Sequence, residues 1–284
     1  MSGSPVADHR ENALAAIFGR KERVLIGMIH LLPIPASPNY RGGGTGAILD
    51  RAQRDADAFA AAGFDGLMVE NHGDIPFLKP DRIGPETAAH MAIVADRLRE
   101  RCGLPIGINV LANAALHALA IAAAAEAAFV RVNQWANAYV ANEGLIEGAA
   151  AEALRYRSSL RAESIRVFAD AHVKHGAHAI VADRPVAELV KDVDFFSADA
   201  VIATGQRTGH AADIDYIRLF RQATELPLLV GSGATLENVE DILSVADGFI
   251  VGSSVKSDGS WWNPVDPQKA KELCRRAKHD NTST

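Results

Sequence analysis

The sequence is poor in cysteine, with 2 among 284 residues, and aromatic side chains make up only 6% of it. Cys102 and Cys274 lie far apart and do not form the closely spaced pairs that bind zinc. We therefore expect two free thiols that serve packing in a reducing compartment, the cytoplasm.

The sequence also lacks a surplus of positive charge and any long apolar segment. Its formal net charge is −6 without a cluster of lysine and arginine, so it has no electrostatic footprint for nucleic acid. No apolar run approaches the length of a bilayer span, and residues 1–10 do not resemble a secretory signal. These features argue against nucleic-acid binding and against an integral membrane segment.

What the sequence does contain is a repeating pattern of short apolar runs and helix-length stretches. Eight apolar runs cover residues 24–29, 66–70, 105–110, 129–133, 166–172, 200–204, 228–231 and 248–252. Strands joined by crossover helices run parallel, and eight repeats favour closure into a (β/α)8 barrel, or TIM barrel. We predict a single α/β domain over 1–284, with its core at about 23–269 and a short N-terminal helix near 11–18.

The last two predicted strands each run into a loop of small residues. TIM barrels commonly bind phosphate at these two loops, because glycine lets backbone N–H groups approach an anion closely. The pair predicts a phosphate or other anion site, although glycine and serine are also common in ordinary βα turns. The six candidate residues are Gly231, Ser232, Gly233, Gly252, Ser253 and Ser254.

Polar residues recur inside the predicted strands, opposite small apolar neighbours. Side chains two residues apart share a strand face, so polar groups that alternate with apolar ones are expected to point into the barrel mouth. Burying them unpaired against helices would cost several kcal/mol. The predicted catalytic residues are Asp170, His172, Glu70, Lys174 and His30. The predicted substrate-binding residues are Asn109, Arg131, Asn133, Thr204 and Gly205, the last two in a loop of small residues.

These residues are compatible with two kinds of chemistry. In one, His30, Glu70, Asp170 and His172 hold a divalent metal that acts as a Lewis acid. In the other, which we favour because the candidate ligands form no compact motif, Asp170, His172 or Glu70 acts as general base. Lys174 and Arg131 then stabilise negative charge. Lys174 as a Schiff-base nucleophile is a weaker alternative.

Three further features have more than one interpretation. The long connections at residues 31–45 and 73–84 follow the first two strands and form either a mobile lid or a decorated rim. Lys256 either completes the anion site or is a solvated lysine. Trp261 and Trp262 either pack against the final helix, which we expect, or form a stacking platform.

Several ordered motifs together resemble the BtpA/SgcQ family. They are IGMIHLLP at residues 26–33, MVEN at 68–71, GDIPF at 73–77, PIGINV at 105–110, RVN at 131–133, GLIEG at 144–148, FAD at 168–170, HVKH at 172–175, GSG at 231–233, ENV at 237–239 and NPVD at 263–266. The resemblance extends from about residue 23 to residue 269. It implies a barrel of the ribulose-phosphate-binding type.

Family membership does not define one reaction. The family takes its name from a cyanobacterial protein needed for photosystem I accumulation, and its SgcQ branch is associated with a putative sugar-utilisation operon. At residue 72, where the resemblance leads us to expect an aromatic side chain, this sequence has His72. Residues 134–138 also differ from the expected small-residue pattern.

Together these features predict an enzyme that acts on a small phosphorylated, sugar-like metabolite by acid–base chemistry, as a lyase or isomerase. We expect a homo-oligomer, and a divalent metal is left open. The alternatives are a non-catalytic assembly or stability factor for a membrane complex such as photosystem I, and a sensor that binds a sugar phosphate.

Overall fold

Eight parallel strands close into a barrel in the computed structural model of the chain, which describes residues 11–174, 176–204 and 213–278. The strands are β1 Val24–His30, β2 Gly66–Glu70, β3 Ile106–Asn109, β4 Phe129–Val132, β5 Ala138–Ala141, β6 Gly144–Glu147, β7 Arg166–Asp170, β8 Ala200–Ala203, β9 Leu228–Val230 and β10 Gly248–Val251. Around the barrel the order is β1, β2, β3, β4, β7, β8, β9 and β10, which pairs back with β1. The predicted TIM barrel is confirmed, and each predicted strand lies within two residues of its observed limits.

Helices between the strands surround the barrel. They are α1 Ala13–Phe18, α2 Gly44–Ala62, α3 Pro85–Cys102, α4 Ala115–Ala124, α5 Ala150–Ser159, α6 Val186–Phe195, α7 Ile214–Arg221, α8 Val239–Leu243 and α9 Pro267–Lys278. Local sequence explains several of their limits. Helix α3 begins at Pro85, whose missing N–H costs nothing there, and ends before Gly103 in the left-handed conformation.

Helix α1 is the predicted N-terminal helix, and it closes the amino-terminal end of the barrel. Asn12 caps it by accepting a hydrogen bond of 3.0 Å from the Ala15 N–H. Its fully buried Leu14 joins the apolar side chains that fill the barrel interior, and Phe18 meets Phe129 edge-on with ring centroids 5.8 Å apart. Because apolar groups occupy the closed end and the middle, polar groups are confined to the opposite, open end.

Strands β5 and β6 form an antiparallel hairpin that the sequence pattern did not predict. The hairpin lies between β4 and α5, outside the barrel sheet. Main-chain hydrogen bonds of 3.1 and 2.8 Å join Val140 to Ala177, and Tyr139 reaches the cavity described below. Only Asn142 and Glu143 separate these two strands, so they lie outside the repeat of apolar runs and helix-length stretches that predicted the barrel strands.

Lys256 takes neither of its predicted positions, because its side chain is completely buried. Its Nζ lies 3.1 Å from Asp55 Oδ2 on α2, and Asp55 Oδ1 accepts a hydrogen bond of 2.8 Å from the Val265 N–H. The pair therefore ties the segment before α9 to α2. Both the anion-site and the solvated interpretations of Lys256 are wrong.

Cys102 and Cys274 are free thiols, as expected. Within the described residues, every helix is too short or too polar to span a bilayer.

Replacing Leu14 with alanine tests the contribution of α1 to barrel stability. We expect Leu14→Ala to lower the free energy of unfolding by about 2–5 kcal/mol, because it leaves a cavity at the closed end. Leu219→Ala is the matched control, since that side chain is 45% exposed on α7. Urea denaturation measures both variants. Equal effects would contradict the assigned role of α1.

Candidate active site

A cavity of about 580 Å³ opens at the carboxyl ends of the barrel strands. Enzymes with this fold carry their active sites at this end, because each strand delivers its last side chains there. Eleven predicted site residues line the cavity: His30, Glu70, Arg131, Asn133, Lys174, Gly231, Ser232, Gly233, Gly252, Ser253 and Ser254. The lining does not include Asn109, Asp170, His172 and Thr204, and Gly205 lies outside the described residues.

Glu70, the last residue of β2, is the centre of a buried polar cluster. Its Oε1 lies 2.9 Å from His72 Nδ1 and 3.6 Å from His30 Nε2. Its Oε2 accepts a hydrogen bond of 2.6 Å from Asn109 Nδ2. The strand register sets His30 beside Glu70 and Glu70 beside Asn109, which explains why side chains from three adjacent strands meet.

Burial and hydrogen bonding give the members of this cluster different charges. Loss of water contact lowers the pKa of His30 to about 3, and the nearby Glu70 carboxylate offsets only part of that effect. Burial raises the pKa of Glu70, but the hydrogen bond from His72 and the charge of Arg131 help to lower it to about 2. At neutral pH an ionised carboxylate therefore lies beside an uncharged imidazole.

Arg131 on β4 and Asp170 on β7 form a bidentate ion pair in the wall of the barrel mouth. Arg131 Nε and Nη2 each lie 3.0 Å from an Asp170 oxygen, and both side chains are almost completely buried. Asn133 Nδ2 donates a further hydrogen bond of 3.1 Å to Asp170 Oδ2. Burial opposes the charge on Arg131, but the Asp170 carboxylate raises the pKa of the guanidinium. Arg131 therefore presents a fixed positive charge that Asp170 orients.

Lys174 reaches the cavity from the loop after β7. Its backbone N–H donates a hydrogen bond of 3.1 Å to Thr204 Oγ1, and that hydroxyl donates one of 3.4 Å to the His172 carbonyl oxygen. Thr204 is thus a positioning residue for the loop that carries Lys174. It contacts main chain rather than the cavity.

The ammonium group of Lys174 loses its proton more readily than that of an ordinary lysine. Burial lowers its pKa to about 8, and the like charge of Arg131 acts in the same direction, while Glu70 and Asp170 offset part of the shift. At pH 7 roughly one tenth of such a lysine is neutral, compared with fewer than about one in a thousand for an ordinary lysine. An amine with this pKa can accept or donate a proton near neutral pH.

The His172 side chain points toward α7 and does not line the cavity. Its Nδ1 lies 2.8 Å from the Tyr216 hydroxyl on α7, and its ring stacks on His178 with centroids 3.7 Å apart. Burial, together with His178, lowers the pKa of His172 to about 4. The alternation that predicted an inward His172 ends with β7 at Asp170, so the residues that follow take directions set by the loop.

The loop after β9 presents unused hydrogen-bonding groups to the cavity. Asn238 holds this loop in place, because its Oδ1 accepts a bond of 2.8 Å from the Thr235 N–H and its Nδ2 donates one of 2.8 Å to the Gly233 oxygen. In the described part of the chain, the Ser232 hydroxyl is shielded from solvent without a partner. The N–H groups of Ser232 and Gly233 likewise have no protein acceptor there.

Glycines bring the two small-residue loops into contact with the two polar clusters. A Cβ built on Gly252 would lie 2.8 Å from His30 Cε1, and one built on Gly231 would lie 2.9 Å from Arg131 Nη2. Distances below 3 Å are too short for a carbon substituent, so the loops need glycine at these positions. The predicted anion site and the predicted polar mouth are therefore parts of one cavity.

The sequence interpretation missed the aromatic side of the cavity. Trp261 lines it, with its ring centroid 4.3 Å from that of His72, whereas the sequence led us to expect a packing role beside the final helix. Phe77 and Tyr139 also line it. His72 was noticed only as an unexpected residue, although its position two residues after the end of β2 was a usable signal.

The two long connections predicted as a lid or a rim pack against each other. The Ile34 N–H donates a hydrogen bond of 2.8 Å to Asp74 Oδ1, and Asn39 Nδ2 donates one of 2.9 Å to the Ile75 oxygen. A Cβ on Gly73 would lie 2.6 Å from the Leu31 oxygen, so the backbones are in direct contact. Whether they move as a lid stays a prediction.

Three nearby side chains have the donor atoms to hold a metal ion. One nitrogen each from His30 and His72 and one oxygen from Glu70 all lie within 4.8 Å of one another. The metal set proposed from the sequence also included Asp170 and His172. Asp170 is paired with Arg131, and His172 is bonded to Tyr216, so neither joins this cluster.

Comparison with known proteins gives consistent matches over most of the chain. A model of the BtpA family matches residues 21–279. An uncharacterized protein of Methanocaldococcus jannaschii is 40% identical over 258 residues, which cover 90% of this chain and 96% of that protein. The photosystem I biogenesis protein BtpA of Synechocystis is 38% identical over 244 residues, which cover 86% of this chain and 84% of that protein.

Solved structures with the same fold are much more distant in sequence. (S)-3-O-geranylgeranylglyceryl phosphate synthase from Thermoplasma acidophilum, in complex with its substrate sn-glycerol-1-phosphate, matches with a TM-score of 0.57. The two proteins are 15% identical, and the match covers 94% of this chain and 96% of the synthase. This similarity supports the barrel fold.

The lowered pKa of Lys174 can be measured without a substrate. We expect its reaction rate with an amine-specific reagent to rise with pH around a midpoint of about 8, well below the value of about 10.4 for ordinary lysines. Peptide mass spectrometry after brief labelling follows the modification at residue 174. In the control variant Lys174→Met, the signal of the peptide modified at residue 174 must disappear. A midpoint near that of exposed lysines would contradict the electrostatic description of the site.

Proposed function

The chain belongs to the BtpA family, and we propose that it is an enzyme acting on a small phosphorylated, sugar-like metabolite by proton transfer. The observation that carries the proposal is the location of Lys174, an amine with a pKa of about 8, in the same cavity as two loops suited to phosphate. The reaction class is a lyase or isomerase. In keeping with its free cysteines, we further propose that the enzyme acts in the cytoplasm.

The phosphate of the substrate binds against the loops at residues 231–233 and 252–254. Glycine at Gly231 and Gly252 lets the two loop backbones pack directly against Arg131 and His30, where a Cβ would collide with those side chains. The unpaired Ser232 hydroxyl and the N–H groups of its loop are donors for the anion. A cavity of about 580 Å³ is in the range of small-molecule sites.

The carbon skeleton of the substrate then extends toward Lys174 and Glu70. Neutral Lys174 accepts a proton from the carbon beside a carbonyl or from a hydroxyl group, and the ammonium so formed returns a proton at the neighbouring atom. Arg131 stabilises the negative charge that develops on the substrate oxygen. In isomerisation, Lys174 returns to the substrate the proton that it removed. In aldol-type cleavage, the hydroxyl group loses its proton to Lys174, the C–C bond breaks, and its electron pair moves to the carbonyl-bearing fragment, which the ammonium then protonates.

Structural similarity adds modest support to the choice of substrate class. The Thermoplasma synthase is in complex with sn-glycerol-1-phosphate, a small phosphate ester bound in a barrel of the same fold. Fold similarity at this level of identity is an analogy, because unrelated reactions share the TIM barrel. The loops of this chain are therefore the basis for proposing phosphate.

A second candidate function is that of an assembly factor for a membrane complex. The Synechocystis relative is a photosystem I biogenesis protein, and several large apolar side chains near the barrel mouth are exposed, among them Val140 at 47% and Leu78 at 53%. An assembly factor has no need of an ionisable lysine in a polar cavity. Replacing Lys174 would leave such a role unchanged, whereas it would abolish turnover by an enzyme.

A ligand screen tests the phosphate site. We expect phosphorylated sugars to raise the free energy of unfolding, by about 2.7 kcal/mol at a hundredfold excess over Kd, while their dephosphorylated counterparts do not. Thermal unfolding measures the effect. Gly252→Ala should abolish it, because the new Cβ would collide with His30 and displace the loop. The control Gly46→Ala, with no atom within 4 Å of its Cβ, should retain it. Stabilisation by neither class of compound would overturn the proposed substrate class.

The rate of turnover of any substrate so identified tests the role of Lys174. We expect Lys174→Met to lower kcat by about 10²–10⁴-fold with little change in ligand affinity. In the wild type, kcat/KM should rise with pH through about 8. The neutral amine is the active form, so activity is lost as the pH falls. Lys191→Met, on the exposed side of α6, is the control. Binding without turnover by the wild type would instead indicate a sensor.

A further inference from the structure

We propose that His30, Glu70 and His72 form a binding site for a divalent transition-metal ion at the edge of the cavity. Their candidate ligand atoms, two imidazole nitrogens and one carboxylate oxygen, lie within 4.8 Å of one another. Two histidines and one carboxylate are a donor set that proteins use for zinc and for non-haem iron, with positions left open for substrate. The three residues thus match the ligands of known zinc and iron sites in chemical type.

The distances between the ligand atoms fit a single ion. Glu70 Oε1 is 2.9 Å from His72 Nδ1 and 3.6 Å from His30 Nε2. Ligands bound to zinc at about 2.1 Å in tetrahedral geometry are separated by roughly 3.4 Å. The observed distances bracket this value, so small side-chain adjustments would complete the coordination.

The hydrogen bond of His30 directs a lone pair at the proposed ion. Its Nδ1 lies 3.2 Å from the Trp261 carbonyl oxygen, an acceptor that requires the ring proton on Nδ1. Nε2 of the neutral ring then presents its lone pair to the carboxylate oxygen of Glu70, 3.6 Å away. Two acceptors that face each other in a buried site gain from a cation between them, and the ion would displace the His72 Nδ1 proton that otherwise bonds to Glu70 Oε1.

Further contacts orient the ligands in the way that metal sites require. Asn109 Nδ2 donates to Glu70 Oε2 at 2.6 Å, which leaves Oε1 directed at both histidines. The ring of Trp261 lies against His72, with centroids 4.3 Å apart, and restricts its rotation. Such contacts fix ligand geometry and raise metal affinity.

The open side of the cluster faces the proposed substrate. A Cβ on Gly252 would lie 3.4 Å from His30 Nε2, so the backbone of the small-residue loop lies close beside this ligand atom. His30, Glu70 and His72 all line the cavity. A cation there would contact an oxygen of a molecule held by the small-residue loops.

The donor set determines which ions are suitable. Imidazole nitrogen prefers zinc, iron, nickel and copper, whereas magnesium prefers oxygen ligands. We therefore use Zn²⁺ as the probe and Mg²⁺ as the negative control. The metal proposal does not depend on the reaction proposed above, because metal binding is measured without a substrate.

Isothermal titration of untagged, metal-stripped protein with ZnCl₂ tests the site. We expect one equivalent to bind to the wild type and Mg²⁺ not to compete. Removal of a ligand in His72→Phe or Glu70→Gln should weaken Zn²⁺ binding by more than about 100-fold, and Asn109→Ala by about 10- to 100-fold. His117→Phe, on α4 outside the cavity, is the matched control and should bind like the wild type.

Zinc anomalous diffraction shows where the ion lies, and thermal unfolding of the metal-free variants shows that they are folded. A peak between His30, Glu70 and His72, lost in His72→Phe, supports the proposal. No stoichiometric binding, or equal affinity in His72→Phe and the wild type, would overturn it. Either negative result would leave the ligand screen and the Lys174 variants as separate tests of the proposed enzyme.

Discussion

Closure of eight parallel strands is the constraint on which the site depends, because it brings the carboxyl end of every strand to one rim. The opposite end is filled by α1 and by apolar side chains such as Leu14 and Phe129. Polar side chains inside the barrel are stable only where they find partners or water. Glu70, Arg131 and Asp170 therefore meet at the mouth even though they lie on separate strands.

The charged groups at the barrel mouth form two clusters, and both shift the pKa of Lys174. Asp170 holds the charged Arg131 guanidinium in place, and Glu70 is held ionised by His72 and its neighbours. Removing one partner of the buried Arg131–Asp170 pair would cost about 3–5 kcal/mol, because the other charge would be left unpaired. Among the residues that the structure describes, Lys174 has no such bidentate partner, and its proton is therefore the one most easily exchanged with a substrate.

Much of the fold and part of the site were predictable from the sequence, and the limit has a physical cause. Period-two alternation holds only within a strand, so it identified Glu70, Asn109, Arg131 and Asp170 as inward-facing. It failed for His172, which follows the end of β7. The contact of Trp261 with His72 joins residues remote in sequence, and only the closed barrel brings them together.

A similar reason explains the error at Lys256. A lysine after a small-residue loop is usually at the rim, but here the chain turns inward through the short helix Ser253–Val255. The buried carboxylate of Asp55 then compensates the ammonium charge. No local pattern indicates such a partner, because Asp55 lies on a helix that is remote in sequence.

The central claim is that one cavity holds both the phosphate and the reacting carbons of a small substrate. A crystal structure of the protein with a bound sugar phosphate tests it most directly. The account predicts a phosphoryl group hydrogen-bonded to the loops at residues 231–233 and 252–254, with the carbon chain directed at Lys174 and Glu70. A phosphoryl group bound elsewhere, or a carbon chain directed away from Lys174, would contradict it.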